Sequence, residues 1–448
     1  MKLGLIAMSG VRAHNPELTA LGLTLPGFVE RNKVIASLPS LGLLTLAGLT
    51  PPSVDTHYLE VPDIAALDGV PAEFDVVAIS SFSAQISEAY VLADRYRALG
   101  TTVILGGLHV SALPDEARAH ADAIVVGEGE SAWPALVADL LHSGATLRPV
   151  YDARGCNFDL ARSPMPRFDL LNIPNYNRLT VQTQRGCPFR CEFCAASIRL
   201  SPAYKVKPVD RVVAEIREIK RLWSRPFIEF ADDNTFVNKP HSRRLMQALT
   251  HEDIRWFTET DVSVAEDPGL LSMMRDAGCA EVLIGLESTS LSGVDGLEQR
   301  SNWKARQVDR YLDAIGSIQN HGIRVNGCFI LGLDGTGPDS FDAIAAFVQQ
   351  SGLFDVQITV QTAFPGTPLY TRLRNEGRIL RDPAWELCTL FDVNFRPAKM
   401  SVSELECGFR ALASQIYSEE ATLARREHFR RNLHEQCRGE EKPGSAIY

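Results

Sequence analysis

Although 45% of the 448 residues are apolar, they nowhere run unbroken for the ~18 positions that a membrane-crossing helix requires. The apolar start, Met1–Met8, is too short for the core of a secretion signal and reads as a first strand. An excess of basic charge is also missing. Forty-five Lys and Arg stand against 55 Asp and Glu, for a net charge of −10. That balance argues against a general nucleic-acid or anionic-membrane surface. The one basic run, Arg425-Arg426-Glu427-His428-Phe429-Arg430-Arg431, is interrupted by Glu427 and reads as a solvated helix face. Nine cysteines, an odd number, in a long chain without a secretory signal do not make a disulfide framework. Nor do they make a zinc finger. Cys191 and Cys194 form a C-x2-C pair, but the next cysteine is Cys279 and His241 stands alone. These absences leave a protein of the reducing cytoplasm, long enough for two or three domains.

What is present is a third cysteine beside that pair. Arg185-Gly186-Cys187-Pro188-Phe189-Arg190-Cys191-Glu192-Phe193-Cys194 has the spacing C-x3-C-x2-C. Three thiolates on one loop can hold three corners of a cubane 4Fe–4S cluster, because soft sulfur suits iron–sulfur centres. The fourth iron then has no protein ligand and can bind a substrate or cofactor.

The rest of the chain reads as α/β. Candidate strands Leu3–Met8, Thr56–Val61, Asp75–Ser80, Thr102–Leu105 and Ala123–Val126 alternate with helices that include Leu38–Leu49, Ser87–Leu99 and Ala132–Leu141. Such alternation predicts a doubly wound parallel sheet over residues 1–150, with ligands beyond the carboxyl ends of its strands. Residues 151–179, with Pro164, Pro166 and Pro174, read as an ordered linker. A second array follows over 180–369, with strands at Leu179–Gln184, Phe227–Ala231, Trp256–Thr260, Glu281–Leu286, Val325–Leu331 and Val356–Thr362. The helix Val209–Leu222 is marked by Val212, Val213, Ile216, Ile219 and Leu222 on one face. Residues 370–448 turn helical, at Ser403–Tyr417 and Glu419–Leu433, and the polar end Gly439–Tyr448 should fray.

The cysteine loop, with these residues between its cysteines, resembles the radical S-adenosylmethionine (radical SAM) superfamily. The resemblance implies a partial (β/α)6 barrel with the cluster loop after its first strand. It also implies that Cys187, Cys191 and Cys194 hold a 4Fe–4S cluster whose open iron chelates S-adenosylmethionine (SAM), which one electron cleaves to a 5′-deoxyadenosyl radical. Carried over by position, the cofactor contacts are Asp232, Asp233 and Asn234 after the second strand, Glu287 and Ser288 after the fourth, Asn326 on the fifth and Pro365 after the sixth. Each has a plainer reading: an Asp-capped turn, a helix cap for Glu287, a structural turn at Pro365. Cys328 shares a strand face with Asn326 and is a weak catalytic candidate, more often a small core residue.

The first 150 residues resemble the cobalamin-binding domain that precedes many radical SAM barrels. That likeness rests on the serine-rich loop after Ile79, on Gly106-Gly107-Leu108-His109, and on Gly127-Glu128-Gly129-Glu130. It implies a cobalamin tail pocket lined by Ser80, Ser81, Ser83, Gly106, Gly107 and Gly127. The Asp-x-His-x-x-Gly loop that supplies a cobalt-ligating His elsewhere is absent, and Asp55-Thr56-His57 is only a near miss. His109 reads as a loop residue near the pocket. Leu369–Tyr417 loosely resembles the C-terminal extension of a subgroup that includes hopanoid methylases. Together these imply a cobalamin-dependent methyltransferase that acts on an unactivated carbon of a small molecule, with an external donor such as flavodoxin or ferredoxin. The alternatives are a radical SAM cyclase, rearrangement or C–C bond-forming enzyme, and a non-enzymatic iron–sulfur or zinc module.

Overall fold

A computed structural model describes residues 1–11, 13–14, 18, 38–142, 146–195 and 203–440. The chain end from 441 onward, part of the stretch expected to fray, lies outside the described residues.

Strands β1 (Lys2–Met8), β2 (Asp55–Val61), β3 (Val76–Ser80), β4 (Thr102–Gly106), β5 (Ala123–Gly127) and β6 (Val150–Ala153) form one parallel sheet in the order β2-β1-β3-β4-β5-β6. Helices α1 (Leu41–Leu49), α2 (Ile86–Ala98), α3 (Leu108–Ala112), α4 (Pro114–Ala117) and α5 (Gly129–Leu141) connect or flank them. Successive strand residues point to opposite faces, so each face carries its own core. Val76 and Ala78 meet α1 and α5 through Leu43, Ala47, Trp133 and Leu136. Val77 and Ile79 meet α2 through Ala89, Leu92 and Tyr96. The strand order reverses at β1, which places a crevice at the carboxyl ends of β1 and β3. The sequence reading missed β6, at the start of the expected linker. Only Tyr151 and Ala153 of its four residues are buried, too short an alternation to register.

The second sheet is parallel as well, in the order β7-β10-β11-β12-β13-β14. Its strands are β7 (Leu179–Val181), β10 (Phe227–Phe230), β11 (Arg255–Thr260), β12 (Cys279–Glu287), β13 (Arg324–Leu331) and β14 (Asp355–Val360). Helices α6 (Val209–Leu222), α7 (Lys239–Leu249), α8 (Pro268–Asp276), α9 (Leu291–Val294), α10 (Tyr311–Asn320) and α11 (Asp339–Ser351) follow the strands in turn. The expected strand Leu179–Gln184 is broken. The amides of Thr183 and Gln184 turn to the Asp232 carboxylate, at 2.8 and 3.0 Å, instead of a neighbouring strand. The chain resumes as β8 (Gln184–Arg185), an antiparallel pair with β9 (Lys205–Val206) that brackets the cysteine loop.

One face of each barrel strand carries the fold. Ile228, Phe230, Trp256, Val282, Ile284, Val325, Phe329, Ile358 and Val360 all join the main hydrophobic core. The alternate residues Glu229, Glu259, Asn326, Cys328, Gln357 and Thr359 therefore face the lumen. A polar lumen does not pack as a barrel core; it is a lining for a polar ligand.

After β14 the chain enters α12 (Pro368–Asn375), crosses the first sheet's α2 side, and closes with α13 (Val402–Ile416) and α14 (Glu419–Glu440). A capping box starts α13. The Ser401 hydroxyl accepts from Glu404 N at 3.1 Å, and Ser401 N donates to the Glu404 carboxylate at 2.7 Å. The crossing is anchored by Trp385 and Cys388, which join the core on the α2 side. The basic run on α14 is not simply a solvated face. Arg425 is buried and donates to Ile416 O at 2.8 Å, and Phe429 packs edge-on against Phe354.

Candidate active site

Cys187 follows β8 and Gly186, whose φ of +84° only glycine adopts without strain. The Gly186 amide donates to Asp233 Oδ2 at 2.9 Å, which fixes the turn into the cysteine loop. Further along, Cys191 bridges to Glu298, and Glu192 N donates to Leu297 O at 2.9 Å. Glu298 accepts from the amides of Arg190, Arg300 and Ser301 at 3.2, 3.0 and 2.7 Å. Burial alone would raise its pKa, but these donors outweigh it and hold the pKa down at about 2. On the far side Arg372 of α12 grips both carboxylate oxygens of Glu192, at 2.6 and 3.1 Å. Sequence reasoning missed Glu298 and Arg372, whose contacts to the cysteine loop, at Arg190 and Glu192, span more than a hundred residues.

Burial raises the Cys187 thiol to about 11, with Cys194 and Asp233 adding repulsion. It raises Cys191 to about 12, where Glu287, Cys194 and Cys187 add repulsion and Lys304 opposes. Cys187 and Cys191 thus stand in surroundings that disfavour bare thiolates, as suits ligands charged only when iron replaces their protons. Among the described residues, no three Cys, His, Asp or Glu side chains stand close enough for one mononuclear ion. A cubane gives each thiolate its own iron, which suits three cysteines spaced C-x3-C-x2-C on one loop.

The strand-end residues divide. Asp232 is buried and accepts four hydrogen bonds, from Thr183 N and Oγ1, Gln184 N and Thr235 Oγ1. Its acceptors are occupied by protein, so it organises the β7–β8 break instead of offering a ligand contact. Burial still pushes its pKa up to about 6. Asp233 is half-buried at Gly186. Asn234 donates to Asp261 at 2.6 Å and lowers the Cys187 pKa slightly against the effect of burial. Glu287 sits at the end of β12 with a φ of +64° and ion-pairs with Lys304 at 2.6 Å. Burial alone would lower the pKa of Lys304; Glu287 and Cys191 outweigh it and keep the cation. Sequence reasoning missed Lys304, which also donates to Gly285 O at 3.1 Å and so holds the end of β12. The Ser288 hydroxyl accepts from Ser290 N at 3.2 Å within the next turn. Pro365 occupies a turn closed by Thr367 N to Phe364 O at 3.2 Å, and Gly366 has a φ of +80°. This is a type II turn with Pro and Gly at its favoured positions.

In the lumen Asn326 Oδ1, Gln357 Oε1 and both amide atoms of Gln361 are buried without a hydrogen-bond partner. Such orphans are costly unless a ligand satisfies them. Burial, with Glu229, Asp233, Glu287 and Asp232 nearby, pushes Glu259 up to about 8. Polar orphans and clustered acids suit the diol, amide-like base edge and cationic centres of SAM. Cys328 is half-buried in the lumen, with its thiol pushed well up by burial and by Glu287 and Glu259.

At the first sheet, Ser80, Ser81, Ser83, Gly106, Gly107 and Gly127 all lie at the carboxyl ends of β3, β4 and β5. The Ser83 hydroxyl meets His109 Nδ1 at 3.1 Å, His109 Nε2 meets Glu116 at 3.2 Å, and Glu116 accepts from Trp385 Nε1 at 3.1 Å. His109 is therefore a fully buried link in a polar chain, not an open metal ligand. Both amide atoms of Gln85, beside the serine loop, are buried without a hydrogen-bond partner. Gly107 has a φ of +108°, and a Cβ there would stand 3.1 Å from Ser80 Oγ. Gly127 has a nearer reason to be glycine: a Cβ would meet the backbone of Ala153 on β6 at 2.8 Å. His57 pairs with Gly4 near the amino end of β1, away from this edge, so the Asp55-Thr56-His57 near miss has no part in the site.

Family models bear the two halves out. Residues 181–348 match the Radical SAM superfamily, 33–137 the B12 binding domain, and 367–445 the Domain of unknown function (DUF4070). The chain is 30% identical over 365 residues to bacteriochlorophyllide d C-8(2)-methyltransferase of Chlorobaculum tepidum, covering 78% of each chain. It is 26% identical to the C-12(1)-methyltransferase of the same organism, over 87% of this chain and 84% of that one. It is 27% identical to hopanoid C-2 methylase of Rhodopseudomonas palustris, over 78% and 67%. Among solved structures, the methyltransferase TsrM of Kitasatospora setae with cobalamin and a [4Fe–4S] cluster bound superposes with a TM-score of 0.62. That match has 13% identity over 85% of this chain and 76% of that one. OxsB, with aqua-cobalamin and SAM bound, gives 0.65 at 15% identity over 88% and 64%. Both likenesses are of fold. The architecture is that of a two-cofactor radical SAM enzyme, and the chain belongs to the cobalamin-dependent radical SAM methyltransferase family. The cofactors of that family are the 4Fe–4S cluster, SAM and cobalamin. Among the described residues, no helix is long and apolar enough to cross a membrane.

Proposed function

We propose that the chain methylates an unactivated carbon of a small molecule, as the named activities of its bacteriochlorophyllide and hopanoid relatives suggest. The observation that carries this reading is the apposition of the cysteine loop and the carboxyl edge of the first sheet, joined through Arg185 to Glu128 and Glu130. When bound, the cluster supplies the electron that splits SAM, and the corrinoid supplies a transferable methyl group. Cys187, Cys191 and Cys194 hold the cluster, while Asp233, Glu298 and Arg372 fix the loop that carries them. Asn326, Gln361, Glu259 and Glu287 line the space for SAM, and Ser83, Gly107 and Gln85 line the corrinoid's tail pocket. A flavodoxin- or ferredoxin-type donor supplies the electron.

Anaerobic reconstitution tests the proposal. The chain should take up about four irons at its cysteine loop and about one corrinoid per chain. Under dithionite it should release 5′-deoxyadenosine from SAM, and Cys191→Ala should lose both the iron and that product. A chain that takes up no corrinoid rejects the methyl-transfer reading while leaving SAM cleavage intact.

A further inference from the structure

Four charged side chains meet where the first sheet touches the barrel. Glu128 and Glu130 follow β5; Arg185 and Lys205 stand on the paired strands β8 and β9. Arg185 reaches Glu128 at 3.0 Å and Glu130 at 2.5 Å, and Lys205 reaches Glu128 at 2.6 Å. Lys205 also donates to Phe158 O at 2.9 Å, and Glu128 accepts from Phe158 N at 2.9 Å, so the connector is drawn into the same knot. The side chains are 1% (Glu128), 10% (Glu130), 12% (Lys205) and 18% (Arg185) exposed.

Charges this dry are a poor way to gain stability. Their desolvation roughly offsets their attraction, and apolar residues of similar size serve as well or better. What a matched, directional set of ions does supply is register, because only one alignment of the two surfaces satisfies all four. The path from this knot to the metal site is short. Arg185 is followed by Gly186, pinned by Asp233, and then by Cys187. On the other side Glu128 follows Gly127, whose φ of +86° seats it against β6.

We infer that Glu128, Glu130, Arg185 and Lys205 form a registration clamp. They hold the cysteine loop against the carboxyl edge of the corrinoid-binding sheet, so that SAM bound by the barrel presents its methyl group to the corrinoid. The inference rests on the proposed function. The step it governs moves a methyl cation from the SAM sulfonium to cob(I)alamin. The C–S bond pair stays on sulfur as S-adenosylhomocysteine, and two cobalt electrons form the new Co–C bond of methylcobalamin. Reductive cleavage of SAM happens wholly within the barrel and does not need that register.

The test uses Lys205→Met, which keeps the hydrocarbon stem, and Glu130→Gln, singly and together in the full chain. Without cofactors, hydrogen exchange should quicken at 128–131 and 205–206 and stay unchanged in β10–β14. In the reconstituted protein, 5′-deoxyadenosine formation with dithionite should stay near wild type. Methylcobalamin formation from cob(I)alamin and SAM should fall about a hundredfold, the effect of a misplacement on the order of 1 Å. Unchanged methylcobalamin formation, unchanged exchange, or an equal loss of both products would overturn the clamp. A wild-type chain that binds no corrinoid would instead overturn the proposed function, and the exchange measurement would still decide the clamp.

Discussion

Glu259 sits in the lumen with Glu229, Asp232, Asp233 and Glu287 around it, and its pKa is raised to about 8 by burial first and by those acids second. The unfolded chain titrates this group near ~4.3. Between those values the folded chain binds a proton the unfolded chain lacks, so stability falls as pH rises through the window. Thermal unfolding of the cofactor-free chain should therefore weaken from pH 5 to 8.5, and Glu259→Gln should flatten that slope. An unchanged slope in the variant would place the titration elsewhere. The lumen leaves Glu259 partly accessible, which trims the size of the effect. At this scale the sequence is readable where chemistry is local. Cys187, Cys191 and Cys194 declare themselves by spacing. Lys304, Glu298 and Arg372 do not, because each acts on a partner reached only through the fold. Asp232 shows the reverse: its position marks the site, but its carboxylate is taken up by Thr183, Gln184 and Thr235.

Among elements, strands and helices were legible wherever one face alone is apolar. The helix Val209–Leu222 stands as the spacing of Val212, Ile216 and Ile219 predicts. The break at Gln182–Thr183 and the short strand β6 were not, because both depend on tertiary hydrogen bonds that leave no periodic trace. The outer layer of the barrel carries its stability. Trp256 is fully buried, lies 4.8 Å from the Phe230 ring, and donates to Ala277 O at 2.8 Å. Trp256→Ala should cost ~3–5 kcal/mol. Trp256→Phe should cost less, on the order of 1–3 kcal/mol, chiefly for the orphaned carbonyl and the lost ring. Denaturant titration of both variants checks the ranking, and a larger loss for Phe would contradict this packing argument.

At the scale of the molecule, the links between the sheets among the described residues include the charged knot at Arg185 and the chain Trp385–Glu116–His109–Ser83. Trp385 and Cys388 belong by packing to the first sheet's core although they follow the barrel in sequence. Trp385→Ala should therefore destabilise the first domain and loosen corrinoid binding while leaving iron content unchanged. Calorimetry together with the corrinoid's absorbance reads both effects, and an iron loss matching the corrinoid loss would argue against it.

This arrangement has a consequence for how the chain is made. The strands of the first sheet are all synthesised once β6 is made, yet Trp385 and Cys388, which complete the apolar cover on its α2 side, emerge more than two hundred residues later. At ~5–20 residues per second that interval lasts on the order of tens of seconds. Until they emerge, the nascent first domain exposes part of its own apolar core on the α2 side.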